Sequence, residues 1–126
     1  MTPAELIEAA KKAYAQGYAP YSDYRVGAAL LCSDGTVITG CNVENSSYGL
    51  SSCAERTAVF TAIASGKRSF SAIAIAASKT PVPFPCGACR QVLSEFCDKD
   101  FSVHVAVDEG YATATLGELF PHGFSL

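Results

Sequence analysis

The chain has 126 residues, with nine Lys and Arg against twelve Asp and Glu and a formal charge of −3. That length supports one domain spanning 1–126, and 49% hydrophobic with 17% charged residues excludes a disordered chain and a simple coiled coil. The acidic balance argues against a polynucleotide or an anionic membrane as partner, because either would select a basic face.

No stretch approaches the roughly 18 apolar residues of a membrane span. The first fifteen residues carry Glu5, Glu8, Lys11 and Lys12, where a signal peptide would be apolar and uncharged. A cytoplasmic location is expected. In that compartment six cysteines are buried small side chains, reactive thiols or metal ligands rather than three disulfides.

In chain order, Thr2-Pro3-Ala4-Glu5 is a capping box with Pro at the first helical position. Leu6, Ile7, Ala10, Ala13 and Tyr14 continue one helical stripe, and Gly17 can end it. Residues 24–32 and 36–43 read as strands joined at Asp34-Gly35, a hairpin signal. A second helix fits 53–65, with Gly66 as its stop. The apolar run 70–77 reads as a strand covered on both faces. A third helix fits 87–97, after Pro81, Pro83 and Pro85. Strands follow at 103–107 and 111–114, and Thr115-Leu116-Gly117-Glu118 starts a short last helix that Pro121 ends. This order predicts an α/β fold, a three-layer α-β-α sandwich around a mixed sheet of about five strands.

The residues that carry chemistry are Cys53-Ala54-Glu55 and Pro85-Cys86-Gly87-Ala88-Cys89, each at a predicted helix start. Zinc favours thiolates, and a Cys-x-x-Cys turn lets two sulfurs reach one ion. With Cys53 as third ligand, a fourth tetrahedral position stays open for water, the arrangement of a catalytic site. Helix N-termini favour thiolate over thiol. Three thiolates still leave a net negative centre, which works against lowering the pKa of a bound water. Arg56 stands where it can hydrogen-bond the thiolates and withdraw that charge.

Glu55 lies two residues from Cys53, in a first turn where both can face a site off the helix end. A carboxylate beside an activated water can take its proton and deliver it to a leaving group. Ser52 to Glu55 also matches a capping box, in which Glu55 would merely bond the Ser52 backbone. For the cysteines, a thioredoxin-type redox pair at Cys86 and Cys89 leaves Cys53 and Glu55 unexplained. A closed structural zinc site would need Cys97 or His104 as fourth ligand, and Cys97 lies about 12 Å along the helix from Cys89. Cys32, Cys41 and Cys97 sit in apolar surroundings and read as core residues.

The pattern resembles the cytidine deaminases of the small, homotetrameric, zinc-dependent type. Cys-Ala-Glu with Pro-Cys-x-x-Cys matches the zinc nucleobase deaminase signature with cysteine as first ligand. The likeness extends through Ala19-Pro20-Tyr21-Ser22, Gly40-Cys41-Asn42-Val43-Glu44-Asn45, Tyr48, Arg56-Thr57-Ala58 and Gly123-Phe124. It implies hydrolytic deamination of cytidine and 2′-deoxycytidine to the uridines with release of ammonia, in pyrimidine salvage. It implies one zinc per chain on Cys53, Cys86 and Cys89, Glu55 as proton shuttle, and Arg56 neutralising the thiolates. Asn42 and Glu44 would bind ribose hydroxyls, the Ala54 backbone the base, and Tyr24 and Tyr48 the nucleoside. Phe124 would enter a neighbouring subunit's site, making the tetramer's sites composite. The family commonly has Phe where Tyr24 stands, so the extra hydroxyl needs a partner. A deaminase of modified cytosine nucleosides and a zinc-stabilised non-catalytic module are the alternatives.

Overall fold

The computed structural model describes residues 1–126. Helix α1 spans Pro3–Tyr14 and is closed at its start by the Thr2–Glu5 capping box, with both reciprocal hydrogen bonds made. Strands β1 (Val26–Cys32) and β2 (Val37–Cys41) form the hairpin, turned at Gly35 with φ +91°. A single 3-10 turn at Tyr48–Leu50 leads into α2 (Ala54–Ala64). Then come β3 (Phe70–Ala77), α3 (Gly87–Phe96), β4 (Ser102–Ala106), β5 (Tyr111–Thr115) and the one-turn α4 (Leu116–Leu119).

The sheet order is β2-β1-β3-β4-β5. Only β3 and β4 pair in parallel; the other three pairs are antiparallel. The expected mixed five-stranded sheet is therefore present, with helices on both faces. β1 begins at Val26 rather than at 24. The reason is local: the Tyr24 carbonyl accepts from Asn42 Nδ2 at 2.8 Å and the Val26 N–H donates to Asn42 Oδ1 at 2.9 Å, so a side chain replaces the ladder there.

β3 shows how one strand serves two layers. Ile73 and Ile75 face α2 and α3, in a core with Leu30, Val59, Leu93 and Val103. Ala72, Ala74 and Ala76 face α1, against Leu6, Ile7 and Ala10. Alternation at period two puts bulk on one face and small residues on the other, so α1 lies close to the sheet. On the opposite face, Gly40 of β2 lets α2 approach backbone to backbone: a Cβ there would stand 2.6 Å from the Ala54 carbonyl oxygen. This contact seats the first turn of α2, which bears the chemistry.

Candidate metal centre and substrate cleft

Two helix starts converge. Cys53 is the N-cap of α2 and Cys86 the N-cap of α3, and neither cap residue makes a side-chain capping bond. Cys89 follows in the first turn of α3 and is fully buried. The Sγ atoms of Cys53 and Cys86 lie 3.8 Å apart, and those of Cys86 and Cys89 lie 3.6 Å apart. All three sulfurs fall within 4.8 Å of one another. Three thiolates on one tetrahedral zinc, with Zn–S near 2.3 Å, stand about 3.8 Å apart, so the donor set fits that ion in chemistry and spacing. No fourth His, Cys, Asp or Glu joins the group. Cys97 caps the far end of α3, where burial pushes its thiol up to about 12. His104 is engaged with Thr113 Oγ1 at 2.8 Å. The closed four-ligand reading thus loses both of its candidates.

Arg56 Nη2 donates to Cys53 Sγ at 3.3 Å. The Cys89 thiol and then this guanidinium hold Cys53 well below the ordinary thiol range, at about 5. Cys89 is pushed up, chiefly because Cys53 takes the negative charge of the pair. Arg90, the neighbour of Cys89, turns away: its Nη1 donates to the Leu119 carbonyl at 2.8 Å and its guanidinium lies over the Phe120 ring.

The Glu55 side chain is 5% exposed and lines the cleft in front of the cysteines. The capping-box alternative does not form. Cys53, not Ser52, is the N-cap, and the Ser52 hydroxyl lies against Cys53 O and Thr57 Oγ1. Burial raises the Glu55 carboxyl to about 7, opposed in part by backbone hydrogen bonding. A group of that proton affinity can both take and give a proton near neutrality.

The cleft has a volume of about 960 Å³, at the upper end of the range for small-molecule sites. Tyr24, Asn42, Glu44, Tyr48, Ala54 and Arg56 all line it with Glu55. Asn42 and Glu44 are already partly engaged. Glu44 Oε1 accepts from the Tyr21 and Ser22 N–H groups at 3.0 and 3.2 Å, and Oε2 accepts from the Ser22 hydroxyl. The Ser22 bond is the main reason that the Glu44 carboxyl lies below its ordinary value. Ala54 opens α2, where N–H groups lack intrahelical partners. Tyr48 is 91% exposed at the rim.

Phe124 does not line this cleft. It is exposed on the C-terminal segment, where Gln91 Nε2 donates to its carbonyl at 3.2 Å. Two contributors escaped the sequence reading. One is the backbone of Tyr21 and Ser22, which grips Glu44. The other is the loop Pro81–Phe84, which forms a wall of the cleft; its signal was three prolines in five residues just before Cys86.

A family model described as the cytidine and deoxycytidylate deaminase zinc-binding region matches residues 2–105. A cytidine deaminase of Halalkalibacterium halodurans is 51% identical over 122 residues, covering 95% of this chain and 92% of that one. A cytidine deaminase of Sporosarcina psychrophila is 48% identical, covering 96% and 90%. The crystal structure of a cytidine deaminase from Burkholderia pseudomallei superposes with a TM-score of 0.93 at 48% identity, over 98% of this chain and all of that one.

Proposed function

The chain belongs to the cytidine and deoxycytidylate deaminase family, and from that premise we propose that it converts cytidine and 2′-deoxycytidine to uridine and 2′-deoxyuridine with release of ammonia. The observation that carries the reading is the buried Glu55 carboxyl beside three converging cysteines at the mouths of two helices.

Cys53, Cys86 and Cys89 hold one zinc ion per chain. When bound, zinc acts as a Lewis acid that makes water nucleophilic at neutral pH. Glu55 takes a proton from the water whose oxygen bonds to C4 of the base, and gives it to N3. Glu55 then takes the remaining hydroxyl proton and gives it to the amine; the C4–N bond breaks and ammonia leaves. N3 keeps its new proton and the oxygen stays as the C4 carbonyl, so the product is the uridine. Arg56 draws charge from Cys53, which offsets the excess of three thiolates over the dication.

At the other end of the cleft, Asn42 and Glu44 receive the sugar. Three of the roughly four acceptor sites of a carboxylate are taken on Glu44 by the Tyr21 and Ser22 groups. One remains, which suits a single hydroxyl. Reading one hydroxyl is compatible with accepting both ribose and deoxyribose. The Ala54 backbone meets the base, and the rings of Tyr24 and Tyr48 pack on the nucleoside.

Phe124 serves a neighbouring copy in a homotetramer with composite sites. Its exposure, and its absence from the cleft of its own chain, support that placement. The net charge of −3 fits a free nucleoside rather than a polynucleotide. A role in pyrimidine salvage in the cytoplasm accords with that substrate, and no helix is long and apolar enough to cross a membrane.

Metal analysis and turnover on one purified sample test the reading. The expected result is about one zinc per chain, with loss of cytidine absorbance matched by ammonia. Zinc with no turnover of any cytosine nucleoside would instead support a non-catalytic zinc module, and a cysteine pair cycling to disulfide without zinc would support the redox alternative.

A further inference from the structure

The loop from Ser78 to Pro85 joins β3 to α3 and forms one wall of the cleft. Its sequence leaves it little means of holding itself. Pro81, Pro83 and Pro85 have no N–H to donate, so a ladder against a neighbouring strand cannot form there. Its start is fixed by the Ser78 N–H, which donates to Arg25 O at 2.8 Å, while Lys79 makes only an exposed ion pair with Asp23 at 3.1 Å. Its end is fixed by α3, where the Arg90 N–H donates to Cys86 O at 3.0 Å. Within residues 80–85 the only hydrogen bond among N–H donors of the loop is local, from Phe84 N to Val82 O. The one bond from the body of the protein is the Tyr24 hydroxyl, which donates to Pro81 O at 2.5 Å.

Tyr24 is itself held from the sugar end of the cleft. Asn42 Nδ2 donates to its carbonyl, and its N–H donates to Ser22 Oγ at 3.1 Å. That same Ser22 hydroxyl bonds Glu44. A continuous path of hydrogen bonds therefore runs from Asn42 and Glu44, through Tyr24, to the proline-rich wall.

We infer that the Tyr24 hydroxyl is a positioning group that tethers the 80–85 loop, fixing the apolar wall of Val82, Pro83 and Phe84 against the nucleoside from the sugar-binding end. The inference rests on the proposed nucleoside reading for its substrate, and on the Tyr24–Pro81 contact for its mechanism. The ring packs on the nucleoside, while the hydroxyl is committed to Pro81 and acts through the loop. The tether shapes a wall present for substrate and transition state alike, so its loss weakens binding more than chemistry. Cys86 keeps its place because α3 holds it independently of the loop.

The test is Tyr24→Phe, which removes one oxygen and keeps the ring. Two readouts are taken: hydrogen exchange at the Phe84 amide of the free protein, the one loop amide that is hydrogen-bonded, and steady-state kinetics on cytidine. Faster exchange at this amide is expected, with KM raised about three- to tenfold and kcat within about twofold, as loss of one neutral hydrogen bond implies. Lys79→Ala, which removes only an exposed ion pair, should change neither readout. Unchanged exchange in Tyr24→Phe would overturn the tether, and so would an equal effect from Lys79→Ala. Faster exchange with an unchanged KM would overturn its role in binding. A parent chain that deaminates no cytosine nucleoside would defeat the functional reading, and the exchange rates would still decide the tether.

Discussion

Arg56 reaches back one turn of α2 to place its Nη2 3.3 Å from the sulfur of Cys53, the residue that caps the same helix. Two sources of positive potential, the helix N-terminus and a guanidinium, thus act on one thiolate. The interaction is mutual, since the Cys53 contact holds Arg56 above its ordinary value. Arg56→Ala should lower zinc affinity about 10- to 100-fold, the usual effect of removing a partner of a metal ligand, and should lower kcat with zinc saturating. Chelator competition and kinetics at excess zinc measure the two effects separately. Unchanged affinity and unchanged kcat would remove Arg56 from the account.

The single acceptor site left on Glu44 has a consequence for sugar choice. A site built to pair with a hydroxyl rejects an analogue that lacks it by about 10⁴-fold or more. With Asn42 and Glu44 both reading the one hydroxyl shared by the two sugars, kcat/KM for cytidine and 2′-deoxycytidine should agree within about tenfold. A ratio near 10⁴ would mean that the 2′-hydroxyl has a dedicated partner, and would contradict the arrangement proposed for Asn42 and Glu44.

Much of the site was legible because its signals are local. Cysteines at helix starts, the Asp34-Gly35 turn and the Thr2 capping box are each set by a few consecutive residues, and each stands in the structure. The carboxylate at Glu55 was ambiguous locally, because Ser52 to Glu55 fits a capping box equally well. Only the backbone, with Cys53 at the N-cap, decides it. What stayed hidden depends on distant pairs. Tyr24 and Pro81 are 57 positions apart, and Ser22 and Glu44 are 22 apart. No periodicity encodes such contacts. The beginning of β1 was misplaced for the same reason, since Asn42 ends the ladder from 16 positions away.

His104 offers a check on the core rather than on the chemistry. It is buried in β4, bonded to Thr113, with the Tyr111 ring edge-on at 5.7 Å. Burial lowers its pKa below the usual 6.5. Between that lowered value and 6.5 the unfolded chain binds a proton that the folded chain does not, so stability rises with pH. The contribution is complete above pH 6.5 and is lost as pH falls through the folded value. Glu55, raised to about 7, has the opposite slope, which cancels when parent and variant are compared. Urea midpoints from pH 5 to 8 should therefore fall less steeply toward acid in His104→Asn than in the parent. An identical pH dependence would show that His104 titrates alike in both states.

The central claim is that Glu55 moves the protons of the reaction, and Glu55→Gln tests it most directly. The amide keeps the shape and the hydrogen-bonding reach but cannot shuttle a proton. With zinc content confirmed at the parent level, kcat for cytidine should fall by at least about 10²-fold, the lower bound for losing a general acid–base, while KM changes far less. A zinc-replete Glu55→Gln protein with kcat within about threefold of the parent would contradict the account.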